Sequence, residues 1–63
     1  QRLYRQLPVY QTLSVEGPHH ARHFVVEVAV GDRILGTGSG RSKRLAAQAA
    51  ARQALIELRQ APS

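Results

Sequence analysis

The chain has 63 residues, enough for one small domain, since domains typically run on the order of 100 residues or more. Nine Lys and Arg against four Asp and Glu give a net charge of +5 at neutral pH, which favours a polyanionic partner. The absence of cysteine excludes disulfides and thiolate metal sites, and no apolar run approaches the ~18 residues of a membrane span.

In chain order, Gln1 to Pro8 can hold one helical turn, with Leu3 and Leu7 four residues apart. Pro8 ends it by disfavouring helical geometry at Leu7. Val9 to Glu16 is rich in β-branched and aromatic residues and predicts a strand. Its buried face is ambiguous, because Val9, Leu13 and Val15 alternate against Tyr10. Gly17-Pro18 breaks the chain and opens a loop to about Arg22.

His23 to Val30 alternates cleanly, with Phe24, Val26, Val28 and Val30 on one face and His23, Val25, Glu27 and Ala29 on the other. Gly31-Asp32 predicts a tight turn into a third strand, Arg33 to about Gly38. Gly36 to Gly40 (GTGSG) is expected to be a flexible, backbone-exposing loop.

The remainder predicts one long helix. Ser42 is a candidate N-cap. Ala46, Ala50, Ala51, Ala54, Leu55 and Leu58 recur at helical spacing as an apolar stripe, and Pro62 lies beyond the end. The elements predict a two-layer α+β domain, with three antiparallel strands packed against helical structure. A chain this short buries only roughly 60% of its unfolded surface, so packing has little margin. It begins at Gln1 rather than Met and is expected to be a piece of a longer protein.

The basic residues are unevenly placed. Arg33, Arg41, Lys43, Arg44 and Arg52 follow one another with no acid between Arg33 and Glu57. Arg41, Lys43 and Arg44 sit at the mouth of the long helix, where unpaired N–H groups and the positive dipole end favour anions. Charge chosen for helix stability alone would put acids there. These three are candidate phosphate contacts.

Other chemistries fit poorly. His19, His20 and His23 lie too close in sequence to surround one ion easily, and no metal site is expected. Gly36, Gly38 and Gly40 fail the dinucleotide pattern because Arg41 stands where a third glycine belongs, and Ser42 precedes Lys43 where the Walker order requires the reverse. Glu16, Glu27, Asp32 and Glu57 are scattered over different elements, so no catalytic carboxylate cluster is expected.

Three segments together resemble the double-stranded RNA-binding domain. Gly36-Thr37-Gly38-Ser39-Gly40-Arg41-Ser42-Lys43-Arg44-Leu45-Ala46, leading into Ala47-Gln48-Ala49-Ala50-Ala51, is similar to that family's Gly-rich strand end, Ser, basic pair and helical alanines. Gly17-Pro18-His19-His20 resembles its Gly-Pro-x-His loop, and Leu7-Pro8-Val9-Tyr10 its approach to the first strand. Within the family the likeness is greatest to the C-terminal domain of bacterial ribonuclease III, and it covers about Leu7 to Leu58.

The resemblance implies an α-β-β-β-α fold with a truncated first helix, a single domain over residues 1–63 with its core at about 7–59, and recognition of duplex RNA by shape. It implies that Arg41, Lys43 and Arg44, with the capping Ser42, meet phosphates. The loop shaped by Gly17 and Pro18 would carry His20 into a minor groove, and Gln1 would reach the other one. No cofactor is expected for the domain. Magnesium, dimerisation through another domain and a cytoplasmic location are implied for a parent nuclease. Two departures are the short first helix and Ala47, where many relatives carry a basic or charged residue. Alternatives are a protein-interaction or dimerisation module of the same fold, or a domain of a ribosome-associated or deaminase-type protein.

Overall fold

A computed structural model describes residues 7–60. Strands β1 (Pro8–Glu16), β2 (His23–Val30) and β3 (Arg33–Gly40) are followed by helix α1 (Lys43–Gln60). The strands form one antiparallel sheet in the order β1-β2-β3. Of the helical turn expected over Gln1 to Pro8, Leu7 is in no helix and Pro8 already begins β1, while residues 1–6, Gln1 among them, lie outside the described residues.

The clean alternation of β2 does what its pattern predicts. Val26 and Val28, each 3% exposed, are the buried strand side chains, and Phe24 and Leu35 pack partly buried against them. The ambiguity in β1 resolves through a bulge. Tyr10 pairs with Val28 and Thr12 with Val26, but Ser14 pairs with Val25 and Val15 with Phe24, so Leu13 is the extra residue. An inserted residue shifts side-chain parity by one. Tyr10 and Val15 therefore share the helix-facing side although an odd number of positions separates them.

A second irregularity lies in β3, where Ile34 pairs with Ala29 and Gly36 with Val28, which leaves Leu35 extra. Between β2 and β3 the turn is Gly31-Asp32. Gly31 has φ 61° and Asp32 keeps a negative φ, a hairpin pattern that requires glycine at the first central position.

The expected flexible loop at Gly36 to Gly40 is instead the second half of β3, paired with β2 as far as Gly40 opposite Phe24. The reason is the closeness of the helix. A Cβ added to Gly36 would stand 2.5 Å from the Ala50 carbonyl oxygen and 2.7 Å from the Ala54 nitrogen. One added to Gly38 would collide with the backbone of Ala49 and Ala50. These glycines supply a groove with no side chains rather than a flexible hinge.

Helix α1 fits that groove with its own small residues. Ser42 caps it as expected: the Leu45 N–H donates to Ser42 Oγ at 3.1 Å and the Ala46 N–H to the Ser42 carbonyl at 2.9 Å. Ala46 and Ala50 are fully buried and Ala54 is 7% exposed. Of the other stripe residues, Ala51 is partly buried. Leu55 and Leu58 are 58% and 53% exposed. The described seam ends where Gly36 meets Ala54, and Leu58 lies one turn beyond it.

Because the atoms facing Gly38 are mostly backbone and cannot rotate aside, Gly38→Ala is expected to cost about 3 kcal/mol in urea unfolding. Thr37→Ala, on the exposed face between the two glycines, is expected to stay within about 0.5 kcal/mol in the same measurement. Removing the cap with Ser42→Ala should cost about 1 kcal/mol.

Candidate nucleic-acid interface

Backbone geometry creates the site. At Gly17, φ is 93°, and an added Cβ would stand 2.5 Å from the Ala21 carbonyl oxygen. Only glycine suits that position. The following turn is closed by the Ala21 N–H donating to the Pro18 carbonyl at 2.9 Å. Gly17 and Pro18 thus shape the loop, as anticipated, and the Glu16–His23 pair anchors its two ends.

Strand register then sets the loop's neighbour. Phe24, just past the loop, pairs with Gly40, the last residue of β3. The next residues are Arg41, Ser42 and the start of α1. Loop and helix mouth consequently frame one open hollow of about 620 Å³, lined from the loop side by His19, His20 and Arg22 and from the helix side by Arg41, Ser42 and Lys43. Residues His20, Arg41, Ser42 and Lys43, singled out from sequence, are brought together there.

Arg44 takes a different direction. It lines a second, shallower hollow of about 240 Å³ with Tyr10, Ala47, Gln48 and Ala51, on the flank of α1 that looks towards β1. The basic trio therefore serves two adjacent surfaces. Gln1 lies outside the described residues.

Sequence reasoning missed Arg22 and His23, which also line the larger hollow. The signal was present in the alternation of β2: once Phe24 is turned inward and set opposite the end of β3, the residues just before it must sit beside Arg41. What the reading lacked was the β2–β3 register.

The hollow is cationic and open to solvent. Its lining includes Arg22, Arg41 and Lys43 but no carboxylate, and the first turn of α1 carries no acid. Among the described residues no polar or charged side chain is buried, so these cations face solvent. Unpaired N–H groups at the helix start add to the positive field. The arrangement suits several phosphates spaced along a backbone. Among the described residues, no three His, Cys, Asp or Glu side chains are grouped to hold a metal ion, and no helix is long and apolar enough to cross a membrane.

Comparison with known proteins agrees with this chemistry. The family model described as double-stranded RNA binding motif matches residues 1–58. Ribonuclease 3 of Latilactobacillus sakei is 56% identical over 50 residues, covering 79% of this chain and 22% of the relative. Ribonuclease 3 of Geobacter sulfurreducens is 51% identical over 55 residues, covering 87% of this chain and 22% of the relative. Ribonuclease 3 of Protochlamydia amoebophila is 49% identical over 55 residues, covering 87% and 23%. The chain thus spans less than a quarter of the length of these relatives. With a family match that runs through both the loop and the helix mouth, the chain belongs to the double-stranded RNA-binding motif family.

Proposed function

We propose that this chain is a module that grips double-stranded RNA by shape and delivers it to the catalytic part of a ribonuclease III. The observation that carries the reading is the meeting of the Gly17–Arg22 loop and the mouth of α1 around one cationic hollow, in a chain of this family. A-form RNA hides its base edges in a deep, narrow major groove, so proteins read its 2′-hydroxyls across the shallow minor groove and its phosphates.

Two features on one side of the domain match that division of labour. The projecting loop, with His20 offering a ring nitrogen to a 2′-hydroxyl, suits a minor groove. Arg41 and Lys43, on the helix side of the hollow, suit the phosphates bordering the adjacent major groove. Arg44, turned towards β1, extends the basic surface to a further phosphate, and Ser42 holds the helix start in place. Gln1 would serve the second minor groove.

The single domain of residues 1–63 needs no cofactor for this work. Its four acids stand on different elements: Glu16 on β1, Glu27 on β2, Asp32 in the turn and Glu57 on α1. Hydrolysis belongs to another domain of a cytoplasmic parent, one that carries magnesium and pairs two copies.

Phosphate contacts release counterions, so affinity should fall steeply as salt rises. Lys43→Ala combined with Arg44→Ala is expected to weaken duplex RNA binding at least about tenfold, equivalent to ~1.4 kcal/mol, and to flatten the salt dependence. Fluorescence anisotropy with a short RNA duplex, the matching DNA duplex and a single strand at two salt concentrations makes the check. Unchanged affinity in a folded double variant, or equal affinity for all three nucleic acids, would defeat the assignment.

A further inference from the structure

All three histidines of the chain, His19, His20 and His23, line the hollow that also holds Arg22, Arg41 and Lys43. A phosphate grip needs cations, and the permanent ones are already present. Imidazole differs from them because its charge changes between about pH 5 and 8. All three histidines are exposed to solvent, so protons reach them freely.

We propose that His19, His20 and His23 form a proton-uptake cluster: they gain protons when duplex RNA occupies the hollow, and the grip tightens as pH falls. This rests on the reading of the hollow as an RNA contact and adds a regulation to it.

The groups around the cluster come from every neighbouring element. The loop supplies Arg22 beside His19 and His20, and β2 supplies His23. Arg41, Ser42 and Lys43 face them from the β3–α1 junction. From β1 the facing acid is Glu16, directly across the ladder from His23.

The direction follows from the charge of the ligand. An anion held against an imidazole favours its protonated form. The phosphates of a duplex lying along the hollow therefore favour the protonated rings, His20 included while it donates to a 2′-hydroxyl, and the protons are drawn from solvent, each forming one N–H bond at a ring nitrogen. A complex that holds more protons than its free components gains affinity as pH falls and loses it as pH rises, by linkage. Each added charge also releases further counterions, so the salt dependence should steepen at low pH.

The test is the affinity of the chain for a fully Watson–Crick-paired RNA duplex, at constant ionic strength, across the pH range in which circular dichroism is unchanged. Between about pH 8 and pH 6 the affinity should rise about fivefold, and the triple variant His19→Gln, His20→Gln, His23→Gln should rise less than about twofold. Calorimetry in two buffers of different ionisation enthalpy should show net proton uptake on binding near pH 6.5. Lys43→Ala should lower affinity at every pH and leave the ratio between pH values intact. An affinity that is flat with pH, or a rise undiminished in the triple variant, overturns the proton-uptake cluster while leaving the RNA grip standing. No duplex binding at any pH overturns the reading of the hollow itself.

Discussion

The contact on which the rest of the molecule depends is between backbone and backbone. Gly36 and Gly38 on β3 present no side chains, and Ala46, Ala50 and Ala54 on α1 present only methyl groups. The helix can therefore lie much closer to the sheet than larger side chains would allow. Dispersion forces act well at such distances, although the apolar area buried per residue is small. Val26 and Val28 on β2 complete this core. The same seam fixes where the helix begins, since a helix locked at Ala46 and Ala50 has its mouth beside the end of β3.

Position therefore passes from the core to the surface in a short series of steps. Pairing of Phe24 with Gly40 sets the end of the first loop beside the β3–α1 junction. The Ser42 cap orients the first turn of α1, and Gly17 bends the loop at a φ that other residues rarely adopt. None of these residues need carry charge. They decide that Arg22, Arg41 and Lys43 surround one hollow rather than scatter over the surface. An electrostatic grip on a rod-like polyanion depends on that fixed spacing as much as on the net charge.

Much of this was legible in the sequence because local patterns there agree with one another. The period-two alternation in β2, the cap at Ser42 and the Gly31-Asp32 turn all proved to be local rules obeyed locally. The failures share a different cause. Gly36 to Gly40 reads as a loop by composition, yet it is a strand, because tertiary closeness to α1 selected glycine there. Leu55 and Leu58 keep helical spacing yet stand exposed, Leu55 turned aside from the buried Ala54 and Leu58 one turn beyond it. The bulge at Leu13 is invisible to any regular alternation, since it is the irregularity that lets Tyr10 and Val15 face the same way. For the hollow, residue type and clustering singled out Arg41 and Lys43 as candidates, whereas the presence of Arg22 and His23 in its lining required the register between two strands.

The Gly31-Asp32 turn lies at the end of β2 opposite to the hollow. Seven residue steps separate Val30 from His23, which at about 3.3 Å per residue is roughly 23 Å of extended chain. Asp32 is exposed and closes a hairpin of only two residues. That corner is a natural point for attaching a dye or a surface tether, since a label there stands at the far end of β2 from the hollow.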